Sequence, residues 1–329
     1  MRFLRFLLIA ALLCAPAGRL GAADAKWVHA SSAHFEMYAA QSESDVRAAL
    51  RHLEIVRAFF LRSTHSQDPG GQPVRVVVFQ SEGDSAKYRP LEYGIVGTYS
   101  LAGTPATIVT LGLKPESYEY IFREYCQLVL DQSAPKIPYW LRAGLAQFYS
   151  TLKPEDNKVK LGSAPRRAFH SHDALNLDLI QLFGADRAMF LESGSRSAKE
   201  FYADTGSYAA LGARGAAATQ ALNALEAKAA QDYELPSWAL THMLMFNPTY
   251  RGKVGDFIGA LSNGQETVAG FGSVYGRSLA DVRSDLTLYM QQAGLAVAEP
   301  AFQYEKPPAP VMKPATKDEV ETLLASTRK

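Results

Sequence analysis

The chain has 329 residues, of which 47% are hydrophobic and 20% charged, with 34 basic against 33 acidic side chains and two cysteines. That apolar content suffices for one large domain or two small ones. A formal net charge of +1 excludes the strongly basic surface that nucleic-acid binding requires.

Arg2 and Arg5 precede an apolar run from Phe6 to Leu13, and small residues follow around Gly21, Ala22 and Ala23. This pattern predicts a secretory signal peptide over 1–23, with cleavage near Ala23. The run is too short for a permanent anchor, so no integral span remains after signal removal. Bulky Leu13 before Cys14 departs from the small residue a lipidation signal prefers, which favours simple export to the periplasm or medium. Losing Arg2, Arg5 and Arg19 leaves 31 basic against 33 acidic side chains, a net of −2. Only Cys126 then remains, so an exported chain folds without an internal disulfide.

From Ala33 to Ala39 the alternation of Phe35 and Met37 with polar neighbours predicts a strand. Val46, Ala49, Leu50, Leu53, Val56 and Phe60 then recur at helical spacing. The turn "GGQP" delivers the β-branched run "VRVVVF", a buried strand, and after a polar loop come a short segment at "GTYSL" and a strand at "ATIVTLG". Beyond Lys114 the signals are helical. Pro115 opens a helix through about Gln132 and Pro138 opens another from Tyr139 to about Leu152.

Further helices are predicted at Ala174 to Phe183, Ala216 to Ala230, Ser237 to Met245, Val254 to Leu261 and Leu279 to Gln292, the last closed by Gly294 as a C′ residue. The tail, 293–329, is proline-rich and reads as a mobile linker carrying a short helix, with Thr316 and Glu319 in capping-box register. The expected fold class is therefore α+β, a small mixed sheet with a helix over 24–113 and a mostly helical part over 114–292.

One stretch carries a chemical outline. "YIFREYCQLVL" followed by "IPYWLRAGLAQFYS" matches the frame of a His-Glu-x-x-His helix and a second helix bearing Trp-Leu-x-Glu-Gly. With "WVHASSAHFEMYA", "VRVVVFQS", "YRPLEYGIVGTYSLAGTPATIVTLG", "LGSAPRRAFHSHDAL", "LPSWALTHMLMF" and "FGSVYGRSLADVRSDLTLYM", the chain from Trp27 to about Gln292 resembles the peptidase-MA-like gluzincin family of exported bacterial proteins of unknown function.

The resemblance implies a zincin-like fold and places the family's first histidine on Arg123, its catalytic glutamate on Glu124, its second histidine on Gln127 and its third ligand on Ala143. Only the glutamate survives. Guanidinium has no lone pair to give, an amide carbonyl is a weak ligand and a methyl is none, so zinc is expected to be absent and Glu124 to be a vestigial general base. Arg123 in the space of the lost cation would satisfy Glu124, although neighbouring residues on a helix do not face each other.

Plainer readings stand beside these. Arg123, Glu124 and Gln127 also read as a solvated helix face. His170 and His172, in "FHSHD", have metal-capable spacing, as surface histidines in a loop also have. His242, one turn after Trp238, is a packed histidine or lines the cleft. Cys126 lacks a sequence-evident base and reads as helix packing.

Three functions remain open at this point. The first is an exported pseudopeptidase holding an extended peptide or a cell-envelope partner, with "ATIVTLG" as the candidate edge strand. The second is a hydrolase whose metal is held by His170, His172 or His242 beside Glu124. The third is a structural envelope component.

Overall fold

A computed structural model describes residues 26–68, 71–80, 99–101, 105–156, 158–165, 178–190, 233–292 and 294–326. The signal segment 1–23, the helix expected at Ala216 to Ala230 and the first residues of the one expected from Ala174 lie outside them.

The polypeptide starts with an antiparallel hairpin, β1 (Trp27–Ser31) and β2 (Phe35–Ala39). Its turn is fixed from below by Glu54 on helix α1 (Glu43–Thr64). The Glu54 carboxylate accepts from the Ser32 hydroxyl at 2.7 Å, the His34 backbone N–H at 2.9 Å and His34 Nδ1 at 2.8 Å. Three donors make a buried carboxylate tolerable there.

Ser42 caps α1 by accepting from the Asp45 N–H, and His65 ends it in the left-handed region at φ 53°. The chain then returns as β3 (Val74–Phe79), parallel to β2, which is the crossover that parallel strands require. Strand β4 (Tyr99–Leu101) follows, antiparallel to β5 (Thr107–Leu111), which lies parallel to β3.

The sheet order is β4-β5-β3-β2-β1-β8. Strand β5 is therefore interior, and the expectation that "ATIVTLG" forms the edge is corrected. The edge belongs to β4, the "GTYSL" segment. At the opposite edge stands β8 (Val311–Ala315), paired with β1 over five residues from Trp27↔Ala315 to Ser31↔Val311. The tail is thus part of the sheet, not a linker. Its Pro314 is tolerated because an edge strand has one side on which no donor is needed.

The tail helix α9 (Lys317–Ser326) starts with the expected capping box. Thr316 N–H donates to Glu319 Oε2 at 2.7 Å and Glu319 N–H to Thr316 Oγ1 at 3.2 Å. Val320 and Leu324 then cover Trp27, Val77, Phe79 and Val109 on one sheet face.

The other face carries Phe35, Met37, Val76, Val78 and Ile108 against Leu50, Leu53, Val56 and Phe60 of α1. That core continues into the helical part through α2 (Pro115–Ser133), α3 (Tyr139–Ser150) and α5 (Glu234–Phe246). Phe122, Trp140, Phe148 and Trp238 are fully buried, each contributing about 2–3 kcal/mol by burial. A short hairpin, β6 (Lys153–Glu155) with β7 (Lys158–Lys160), and helix α4 (Leu179–Gly184) lie between α3 and α5 in sequence.

The remainder is α6 (Val254–Ser262), α7 (Thr267–Gly270) running into a π turn at Phe271–Tyr275, and α8 (Leu279–Met290). Helix α8 ends on Gln291 with helical dihedrals, and Gly294 does not adopt a positive φ, so it is not the C′ cap. The chain is α+β, a mixed sheet with a helix followed by a mostly helical remainder. Among the described residues no helix is long and apolar enough to cross a membrane.

Candidate functional site

Helix α2 begins at Pro115, whose missing N–H costs nothing in a first turn. Ile121, Phe122, Tyr125, Cys126 and Val129 are turned into the core. That rotation leaves Arg123, Glu124, Gln127 and Asp131 together on the other side, half-buried and not solvated as the plain reading expects.

The Arg123 guanidinium donates from Nη2 to Glu124 Oε1 at 3.0 Å and from Nη1 to both carboxylate oxygens of Glu234, at 3.3 and 3.4 Å. The doubt about neighbouring residues is corrected here. The rule concerns where side chains start, and an arginine is long enough to fold back over its own turn. Glu234 opens α5, so one guanidinium ties α2 to the first turn of α5. Burial alone pulls the Arg123 pKa down. The carboxylates of Glu234 and Glu124 outweigh this and raise it above its ordinary value, so the group stays charged.

One turn on, Gln127 Nε2 donates to Asp131 Oδ1 at 2.7 Å. The same carboxylate has Arg142 Nε at 3.4 Å and Arg187 Nη1 at 3.8 Å. Arg142, on α3, also donates to the Pro135 carbonyl at 2.8 Å and lies over the Tyr139 ring. Burial pushes the Tyr139 hydroxyl up, opposed by Arg187 and reinforced by Asp131, Glu124 and Glu234. Three arginines meet three carboxylates, and the cluster is neutral.

Ala143 presents a buried methyl. Its neighbour Gly144 has a stronger reason to be what it is. A Cβ there would lie 2.1 Å from Thr241 Oγ1 and 2.4 Å from the Ser237 carbonyl oxygen, so glycine is what lets α3 and α5 touch.

Zinc needs imidazole, thiolate or carboxylate donors. Positions 123, 127 and 143 offer a guanidinium, an amide whose nitrogen already serves Asp131, and a methyl, and this donor set does not fit the ion. Among the described residues no group of three His, Cys, Asp and Glu side chains is disposed to hold a metal.

His242 is fully buried. Its Nε2 lies 2.8 Å from the Gly162 carbonyl oxygen and must donate to it, so Nδ1 accepts from the Tyr289 hydroxyl at 2.7 Å. Burial lowers its pKa, the carbonyls at Gly162 and Ala296 partly offset this, and no lone pair is left for a metal. His170 and His172 lie outside the described residues. Cys126 is buried and its thiol is pushed well up, which makes it a packing residue.

Sequence reasoning misses Glu234, Asp131, Tyr139, Arg142 and Arg187. The i,i+4 spacing of Gln127 and Asp131 was a usable signal. For Glu234 there was none. The chain matches no protein-family model and no curated protein.

Proposed function

We propose that the chain is an exported protein on the gluzincin peptidase frame that has exchanged its metal centre for ion pairs. In this reading it holds an extended peptide, free or as part of a cell-envelope protein, without cutting it. The observation that carries the reading is Arg123 bridging Glu124 and Glu234. A fixed cation sits against the carboxylate that a peptidase would use as general base, and that carboxylate is engaged. An amide hydrolase needs an activated water and a polarised carbonyl, and neither is supplied by a neutral cluster of paired side chains.

Two features support retention of peptide binding. The chain has a mixed sheet with an antiparallel edge strand β4, followed by two packed helices α2 and α3. Strand addition along such an edge draws on backbone hydrogen bonds and needs no metal.

The test uses untagged mature protein purified from the native compartment. Bound metal is measured, and random octapeptides are incubated with it, with and without added zinc, then analysed by mass spectrometry for retention and for cleavage. Retention of intact peptides is the expected result. Zinc at one per chain, with cleavage that disappears in Glu124→Gln, would replace the reading by the hydrolase alternative. No retention and no cleavage would leave the structural envelope component.

A further inference from the structure

The two carboxylates on Arg123 are not equivalent. Glu124 belongs to the same helix, its side chain is 12% exposed, and its bond is the shorter, at 3.0 Å. Glu234 comes from another helix, is 35% exposed, and stands at 3.3 Å and 3.4 Å. Charge-assisted bonds between guanidinium and carboxylate prefer about 2.7–2.9 Å, so the outer pair is longer than the geometry favours.

Arg123 is itself held at 19% exposure and cannot swing out without stranding Glu124 in a half-buried setting. Glu234 can turn into water at little cost, because much of it is there already. The outward nitrogen of a fixed guanidinium thus faces a place shaped and charged for a carboxylate, and a residue of the chain fills it. Phe190 stands edge-on to Tyr139 at 4.8 Å and stacks at 5.1 Å on Tyr233, the residue before Glu234, so aromatic rings flank the start of α5.

We propose that this is a carboxylate-binding subsite in a self-occupied state: an incoming peptide carboxylate displaces Glu234 and takes its bonds from Arg123. The exchange is neutral in charge, since one carboxylate leaves as another arrives. No bond to hydrogen is lost, because the released Glu234 is hydrated. The proposal rests on the peptide-holding reading and names the chemistry of its ligand. Peptides ending in a free carboxylate and peptides with an acidic side chain offer the same group, and the experiment separates them.

Three fluorescent octapeptide pools are titrated into the full mature protein: free-acid C-termini, amidated C-termini, and amidated peptides with one internal glutamate. With Glu234→Gln the place is no longer filled by an anion. Affinity for one of the two acidic pools should rise about tenfold over the parent, while the amidated pool is unchanged. Arg123→Lys, which keeps the charge and protects Glu124 but loses the fork, should remove the preference for acid over amide.

Acid and amide pools binding equally to the parent and to Glu234→Gln would overturn the subsite and leave peptide holding intact. An acid preference that Glu234→Gln weakens or leaves unchanged would overturn the displacement. Binding of no pool to any form would overturn both readings.

Discussion

Arg123 and Glu234, 111 residues apart in sequence, meet at 3.3 Å and couple the middle of α2 to the first turn of α5. The bond joins two helices far apart in sequence, so its removal is felt at both ends. Replacing Arg123 by Met leaves Glu124 half-buried without its partner, and should cost about 2–3 kcal/mol in urea unfolding. Glu234→Gln, at a more exposed position, should cost under about 1 kcal/mol. A double-mutant cycle on the pair that returned no coupling would show that the bridge contributes nothing to stability.

Gly144 gives a second expectation. An added methyl would run into the backbone carbonyl of Ser237 at 2.4 Å, and backbone cannot rotate away as the Thr241 hydroxyl can. Gly144→Ala normally gains helix propensity, by about 1 kcal/mol. Here overpacking should outweigh that gain and destabilise by about 1–3 kcal/mol, seen as a lowered melting temperature. A variant as stable as the parent would mean that α3 and α5 are not in contact at this glycine.

The tail supplies a third. If 293–329 were only a linker, ending the chain at Pro310 would be silent. Because β8 pairs with β1, and Val320 and Leu324 cover Trp27, Phe79 and Val109, the truncated protein should lose several kcal/mol. It should also bind a hydrophobic dye and show a red-shifted Trp27 emission. Unchanged emission and stability would contradict the packing of α9.

These positions also show what could be read in advance. Pro115 and Pro138 mark the starts of α2 and α3 as expected, because proline's fixed φ suits a first turn. The apolar spacing of α1 and the β-branched run of β3 were equally plain. Strand β8 was hidden by its own edge chemistry, since Lys313 and Pro314 blunt an exposed edge and also make the segment read as linker. The interior place of β5 follows from its pairing with β4, a strand of three residues whose position in the sheet its sequence does not give. At the site, the residue types at positions 123, 127 and 143, none of them an imidazole, thiolate or carboxylate, were legible from the sequence alone. The ion pairs that stand there depend on Glu234 and Arg187, which only folding brings to α2.

Acid should weaken the fold through two histidines, His242 fully buried and His52 half-buried. Burial, reinforced by Lys153, lowers His52 from 6.5 to about 4, and burial lowers His242 as well. Both are neutral when folded, and the unfolded chain takes up protons first. Their contribution is therefore complete above about pH 6.5 and is lost as pH falls toward 4. The melting temperature should drop across that window, and less steeply in His52→Phe, whose ring keeps the contact with Tyr118. Parallel pH profiles for parent and variant would show that His52 is not the group that titrates.

The last expectation concerns the frame. Helices α2 and α3 pack side by side, and positions 123 and 127 lie one turn apart on α2, on the side of Glu124 and Asp131. Ala143 is on α3, next to Arg142, whose guanidinium reaches Asp131 from across the gap at 3.4 Å. Long side chains at 142 and 131 already meet, so a carboxylate at 143 has the reach to approach α2 as well. The triple change Arg123→His, Gln127→His and Ala143→Glu should accordingly create a zinc site of two imidazoles and a carboxylate. It also frees Glu234 from Arg123, which leaves a further oxygen donor close at hand. Binding to the native state alone raises its stability by mass action, so added zinc should raise the melting temperature of the triple variant and leave that of the parent unchanged. The form with Ala143 retained should bind more weakly, by calorimetric titration. A triple variant that folds normally and binds zinc no better than the parent would show that α2 and α3 do not hold the register of a metal site. The proposed peptidase frame would then lack support at its centre.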